Sequence, residues 1–376
     1  MVNKRILLVY NSYLPVLHGV PLAHANFCHF LKELDEAVAE LTVWGMHSVE
    51  PAKNLHAPAG GLPVTDFCDT YESFPLPRGY SRVLRPFIFF KIIFSILQKI
   101  RRYDFIYVFF PGRMPELVCL VAILMRRKFA LYVRGDQIYL PWHPLILRQA
   151  EFILATGATL TAVVQKYCAA SEEVVPMCEV FDREGHTVRP HSRDLPLTGL
   201  LVGRIGREKG IFELVEGLEA LLKKGIDFHF TIVGEITPEA MERLRSSPVF
   251  PQLRLTGAIT DRSRLEEEYR NADYFCLPTY SEGFPRVLYE ALAHGLPVLT
   301  TLVGSIGGVF EDRKNCLAFP PKDAEKLEAV LCEIYQSDQL RNFLAEKSVE
   351  TFQILKNRFE HNSHAKQVLK KLKNDI

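Results

Sequence analysis

The segment Ser281-Glu-Gly-Phe-Pro-Arg-Val-Leu-Tyr-Glu-Ala-Leu-Ala-His-Gly-Leu-Pro297 carries helix signals at both ends. Pro285 suits a first helical position and Gly295 the position just past the last. A helix is therefore expected from about Pro285 to His294. Glu282 then lies in the loop before it, and Glu290 on its first or second turn, eight positions along. Backbone N–H groups near Arg286 and Val287 have no partner within a helix and point outward at its N-terminus, where they favour an anion. Short apolar runs flank the helix, Tyr274 to Leu277 before it and Val298 to Thr300 after it. Strand, helix, strand is the unit of a parallel sheet covered by helices.

The same alternation extends in both directions. Downstream of residue 197, strands are expected at Gly199 to Val202, Phe228 to Val233 and Leu253 to Leu255, with a helix from Phe212 to Lys223. Helices are expected at Asp323 to Tyr335, about Gln339 to Leu355 and about His361 to Leu372. Upstream, strands are expected at Ile6 to Tyr10, Leu41 to Trp44, Phe105 to Phe110, Phe129 to Val133 and Leu160 to Val164. A helix is expected from about Val20 to Leu34, and residues 45–80 read as an irregular excursion rich in Pro, Gly and His. Residues 182–197 are polar and poorly periodic and read as a linker. The expected architecture is α/β: two doubly wound domains facing a central cleft. These are residues 1–181 and 198–355, with residues 356–376 as a terminal helix crossing back to the first.

Composition removes several classes. The 376 residues fit two domains at roughly 150 each. With 48% hydrophobic residues and a net charge of +1, the chain is neither disordered nor a protein that binds nucleic acid through bulk charge. The eight cysteines include no C-x-x-C pair, and read as reduced, buried thiols of a cytoplasmic protein rather than a zinc site. No apolar stretch is long enough to span a membrane.

A second segment, Gly203-Arg-Ile-Gly-Arg-Glu-Lys-Gly210, follows the strand Leu200 to Val202 and leads into a helix. Glycine backbone, two arginines and a lysine at such a turn suit a phosphate. The spacing is neither that of a P-loop nor G-x-G-x-x-G. A basic solvated turn gives the same pattern. Glu282 and Glu290 likewise suit the hydroxyls on either side of a diphosphate in a sugar nucleotide, or are a helix N-terminal charge and an exposed helix residue.

Taken together, Gly203-Arg204, Glu208-Lys209-Gly210 and the pair Glu282 and Glu290 within EGFP…EALAHGLPV resemble retaining glycosyltransferases of family GT4, which have the GT-B fold. Val233-Gly234-Glu235, Leu255-Thr-Gly257, Asn271-Ala-Asp273 and Asn315-Cys-Leu-Ala-Phe-Pro320 fall in the family's order. The likeness is dense over about residues 198–335 and thin before them.

The resemblance implies a nucleoside-diphosphate sugar as donor, a UDP-sugar before a GDP-sugar, and a glycan or glycolipid acceptor. It implies Arg204 and Lys209 on the diphosphate, Glu290 on the ribose, and Glu282 with the backbone of Gly283, Phe284 and Pro285 on the transferred sugar. Gly203, Arg286 and Val287 complete the donor set, and Arg204, Lys209 and Glu282 are the expected catalytic residues. The two cations do the work a metal does elsewhere; no D-x-D pair is present, and no metal or other cofactor is expected. Two departures stand out. Only Gly19 remains of the family's usual glycine pair in the first loop. Where relatives carry a histidine after a central strand, this chain has Tyr132-Val-Arg-Gly-Asp136, which leaves Arg134 and Asp136 as candidates for the central or acceptor site. His18, His24 and His143 read as structural or surface residues.

Residues 78–102 hold seven basic side chains, no acidic one and many aromatic or aliphatic ones. They read either as a core helix with a basic edge or as a surface for an anionic membrane, which would make the protein peripheral on the inner face of the plasma membrane. Two other functions share the sequence features: an inactive GT4-like partner of an active transferase, and a GT-B sugar-nucleotide epimerase or phosphorylase.

Overall fold

The computed structural model describes residues 1–14, 16–17, 20–23, 25–47, 62–68, 70–73, 85–134, 140–174, 196–282 and 286–373. The chain divides into two units, Met1–Met177 with Asn362–Ile376, and Cys178–His361. The expected linker lies outside the described residues except for Pro196 and Leu197, and Leu197 already belongs to a strand.

In the first unit the elements run β1 (Val2–Leu14), β2 (Val16–Leu17), β3 (Val20–Ala23), α1 (Ala25–Asp35), β4 (Val38–His47), β5 (Leu62–Pro63), β6 (Thr70–Ser73), α2 (Arg85–Ile100), β7 (Phe105–Phe110), α3 (Arg113–Leu124), β8 (Phe129–Val133), α4 (His143–Gln149), β9 (Ile153–Thr156), α5 (Ala158–Gln165) and β10 (Ser171–Val174). Seven strands form a parallel sheet in the order β10-β9-β8-β7-β1-β4-β6. Period-two alternation divides the core. Ile6, Leu8, Phe105, Tyr107 and Phe109 face α1, while Leu7, Val9, Ile106, Val108 and Phe110 face α2 to α5. Every residue of β7 is buried, as expected of a central strand covered on both faces.

Three expectations change here. The helix expected from Val20 begins at Ala25, because Val20–Ala23 pair antiparallel with β2 and β5 in a small separate sheet. The strand expected at Leu160 to Val164 is helix α5; its buried Leu160, Thr161 and Val164 have helical spacing, and the strand is the preceding Ile153–Thr156. The excursion at 45–80 contains β6, which pairs in parallel with β4 as the sheet's edge.

The second unit runs β11 (Leu197–Val202), α6 (Ile211–Lys223), β12 (Phe228–Val233), α7 (Pro238–Arg245), β13 (Leu253–Gly257), α8 (Arg262–Asn271), β14 (Tyr274–Leu277), α9 (Arg286–Ala293), β15 (Val298–Thr300), β16 (Leu317–Ala318), α10 (Ala324–Gln336) and α11 (Asp338–His361). Its sheet is parallel in the order β13-β12-β11-β14-β15-β16. Helix α11 runs unbroken past residue 355 to His361, and the helical path is interrupted at Asn362-Ser363 before α12 (His364–Lys373). Ala365, Val368 and Leu372 of α12 enter the first unit's core beside α1.

Candidate functional site

In the second unit the chain leaves β11 toward β12 and leaves β14 toward β15, in opposite directions, so the loops after β11 and β14 meet at the switch point of the strand order, where a crevice is expected. Both segments singled out in the sequence emerge there. After β11, Arg207–Lys209 make one 3-10 turn that ends at Gly210 with φ +71°, and α6 begins. A Cβ at Gly210 would lie 1.9 Å from the Pro278 carbonyl oxygen, so the two loops pass in direct backbone contact. The Tyr280 N–H donates to the Glu208 carbonyl at 2.9 Å, which ties the loops further. Across this seam Lys209 Nζ donates to Glu282 Oε1 in a largely buried ion pair. Thr279 Oγ1 lies 3.5 Å from the same carboxylate oxygen. On the other side, a Cβ at Gly304 (φ +58°) would lie 1.8 Å from the Glu282 carbonyl oxygen, so only glycine admits this approach.

Arg204 is exposed and has no hydrogen-bond or ion-pair partner among the described residues. Gly203 is half-buried at the end of β11. Arg286 and Val287 open α9, so their N–H groups stand at its N-terminus as the sequence predicts. Gly283, Phe284 and Pro285 lie outside the described residues.

Glu290 is buried on α9, not an exposed helix residue. Its carboxylate accepts from Arg262 Nη1 at 2.7 Å and from Tyr269 OH at 2.8 Å. Tyr269 stacks on His294 at 5.0 Å. Sequence reading missed Arg262 and Tyr269. Their signal was indirect: Asp261 is a helix N-cap, and residues seven apart on α8 share a face.

In the first unit the corresponding crevice opens between β1 and β7. Asn11 Nδ2 donates to the Pro111 carbonyl at 2.9 Å, and Arg134 Nη2 donates to Asn11 Oδ1 at 2.7 Å. The Arg134 guanidinium lies 5.6 Å from the Tyr10 ring centroid and 5.5 Å from that of Phe109. Gly19, Asp136, His18 and His24 lie outside the described residues. His143 is buried, its Nε2 3.2 Å from Glu116 Oε1. A cavity of about 550 Å³ bordered by Thr198, His229 and Leu253 sits at the amino ends of β11 to β13 and contains none of the predicted site residues.

Residues 197–337 match the family model described as Glycosyl transferases group 1. The chain is similar to a glycosyltransferase named for teichuronic acid biosynthesis, TuaC of Bacillus subtilis, with 31% identity over 44% of this chain and 39% of that protein. It is 25% identical to the colanic acid biosynthesis glycosyltransferase WcaL of Escherichia coli, over 72% of this chain and 70% of that one. Phosphatidyl-myo-inositol mannosyltransferase of Mycolicibacterium smegmatis is 28% identical over 50% of this chain, which spans 46% of that protein. Among solved structures, Anabaena HepE in complex with UDP superposes with a TM-score of 0.70 at 14% identity, covering 99% of this chain and all of that one. Sucrose-phosphate synthase from Thermosynechococcus elongatus gives 0.64 at 17% identity over the whole of both chains. Two Rossmann-like units with this strand order define a GT-B protein. The likeness to the glycosyl transferases group 1 is carried by residues 197–337.

Proposed function

We propose that the chain is a retaining, metal-independent hexosyltransferase. It moves a sugar from a nucleoside-diphosphate sugar, a UDP-sugar first, to a glycan or lipid-linked acceptor in cell-envelope polysaccharide synthesis. The observation that carries this reading is the meeting of Lys209 and Glu282 at the β11–β14 crevice, with Arg204 on the same loop as Lys209. The leaving nucleoside diphosphate gains negative charge as the glycosidic bond breaks. Fixed cations at Arg204 and Lys209, with the first N–H groups of α9, stabilise that charge as it develops. Glu282, held by Lys209, contacts the transferred sugar, and Glu290 accepts the ribose hydroxyls. Arg134 lines the acceptor side; an arginine stays charged at any working pH and binds rather than shuttles protons. The names of TuaC and WcaL support the polysaccharide role, and the UDP in the HepE structure supports the nucleotide.

Calorimetric titration with UDP, GDP and ADP in metal-chelating buffer tests the reading. Micromolar binding of one nucleotide is expected, and its sugars should then turn over only with acceptor present. An epimerised donor formed without acceptor would mark an epimerase, and no binding at all would mark an inactive partner.

A membrane-surface role in the cytoplasm is the second part of the proposal. No helix among the described residues is long and apolar enough to cross a membrane. The helices α2, α3 and α4 share one face of the first sheet, and Phe94, Leu124, Trp142 and Leu145 are exposed on or beside them, with Arg101 and Arg102 at the end of α2. Such a mixture suits an anionic lipid surface. Co-sedimentation with phosphatidylglycerol vesicles should be lost on joint Phe94→Asp and Leu124→Asp substitution; unchanged binding would rule this face out.

A further inference from the structure

Both oxygens of the Glu290 carboxylate have a holder. Arg262 takes Oε1 and Tyr269 takes Oε2. Arg262 is the first residue of α8, whose start is fixed by Asp261 accepting from the Ser263 N–H at 2.9 Å. Its guanidinium also lies 3.5 Å from Glu266, so it bridges two carboxylates. Tyr269 is braced in turn by the stacked His294, whose Nδ1 lies 2.7 Å from the Glu290 carbonyl oxygen.

A buried carboxylate needs a counter-charge, and Arg262 supplies it. A donor on each oxygen also fixes the carboxylate plane. About four lone-pair sites exist on such a group, and these two bonds take two of them. The remaining two are held with the carboxylate plane and can accept from two adjacent hydroxyls, as a ribose presents them. Because the group is ordered beforehand, little entropy is lost when those hydroxyls bind.

We propose that Arg262 and Tyr269 are positioning residues that aim Glu290 at a vicinal diol, and that this triad makes the site selective for ribonucleoside diphosphates. The proposal rests on the reading of Glu290 as the ribose contact. It adds two residues on a different helix and a substrate discrimination that follows from them.

Titration of the full chain with UDP and with its 2′,3′-dideoxy analogue is the test; guanosine or adenosine pairs replace these if the nucleotide screen selects that base. The unsubstituted protein should prefer the ribonucleotide by about tenfold or more, the range for hydrogen bonds to a charged group. Arg262→Gln and Tyr269→Phe should each cut this preference to about threefold or less by weakening the ribonucleotide alone. Arg262→Lys should recover part of it. Tyr269→Phe keeps the ring on His294, so it remains decisive if Arg262→Gln folds poorly. An unchanged preference in both variants, or equal weakening toward both nucleotides, overturns positioning and leaves a structural role. Equal binding of the two nucleotides by the unsubstituted protein removes Glu290 from the ribose and overturns the proposal. Failure to bind any of the three diphosphates overturns the proposed function itself, and the positioning role with it.

Discussion

Lys209 is paired with Glu282 and the exposed Arg207 with Glu239, which leaves Arg204 as the loop's cation with no ion-pair partner among the described residues. Arg204 and Glu290 should respond differently to substitution. Arg204→Ala should lower kcat by about 10²-fold or more, the cost of deleting one preorganised group aimed at developing charge, with a smaller change in nucleotide affinity. Glu290→Gln should do the reverse, weakening nucleotide binding about tenfold and kcat less, because the hydroxyl contacts proposed for it would exist before and after bond cleavage. Steady-state kinetics beside direct titration separate the two; equal effects on both quantities in both variants would sink the division of roles. The sequence made Lys209 and Glu282 legible because each sits in a local motif with a glycine or proline to mark its turn. Arg262 and Tyr269 were not legible as partners of Glu290, since side chains on α8 and α9 meet only after both helices pack.

Helix α12 shows how one short element closes a unit made mostly from the other end of the chain. Ser363 Oγ donates to Glu33 on α1 at 2.8 Å, and His364 follows into the core. Its Nε2 lies 2.6 Å from Tyr107 OH, and its ring stacks on Phe30 at 4.5 Å. Burial, with the nearby Arg134 charge added, lowers the His364 pKa to about 3. The ordinary value is near 6.5, so between these limits the unfolded chain takes up a proton that the folded chain does not. The contribution of neutral His364 is thus complete above pH 6.5 and is lost as pH falls toward 3. Urea unfolding followed by tryptophan fluorescence should show the first unit losing about 2 kcal/mol between pH 7 and pH 5. His364→Gln should flatten that slope; an equal slope in the variant would place the titration elsewhere. This element was foreseen within a few residues, because its apolar spacing is helical. The strand-for-helix error at Leu160 to Val164 came from a run too short for its period to decide, next to a glycine turn at Gly157.

At the scale of the whole chain, alternation of strand and helix was readable, but strand order was not. Order comes from which strands pair across long separations, as in Ile6 with Phe105, and no local pattern encodes that. The order matters because it sets a switch point in each unit, at β1–β7 and β11–β14, and places the loops proposed to bind the diphosphate at the second. The two units also carry different optical reporters. Both tryptophans, Trp44 and Trp142, belong to the first unit. Nucleotide bound as proposed, at residues 203–210 and 282–290, would contact the second unit, so it should stabilise that unit by mass action. At a hundred times Kd the gain is about 2.7 kcal/mol, which for a unit of this size raises its melting temperature by about 5–10 °C. Calorimetry should show this shift in one of two transitions, while the tryptophan-detected transition stays in place. Equal displacement of both would mean that the units melt as one body, and displacement of the tryptophan transition alone would move the nucleotide site to the first unit.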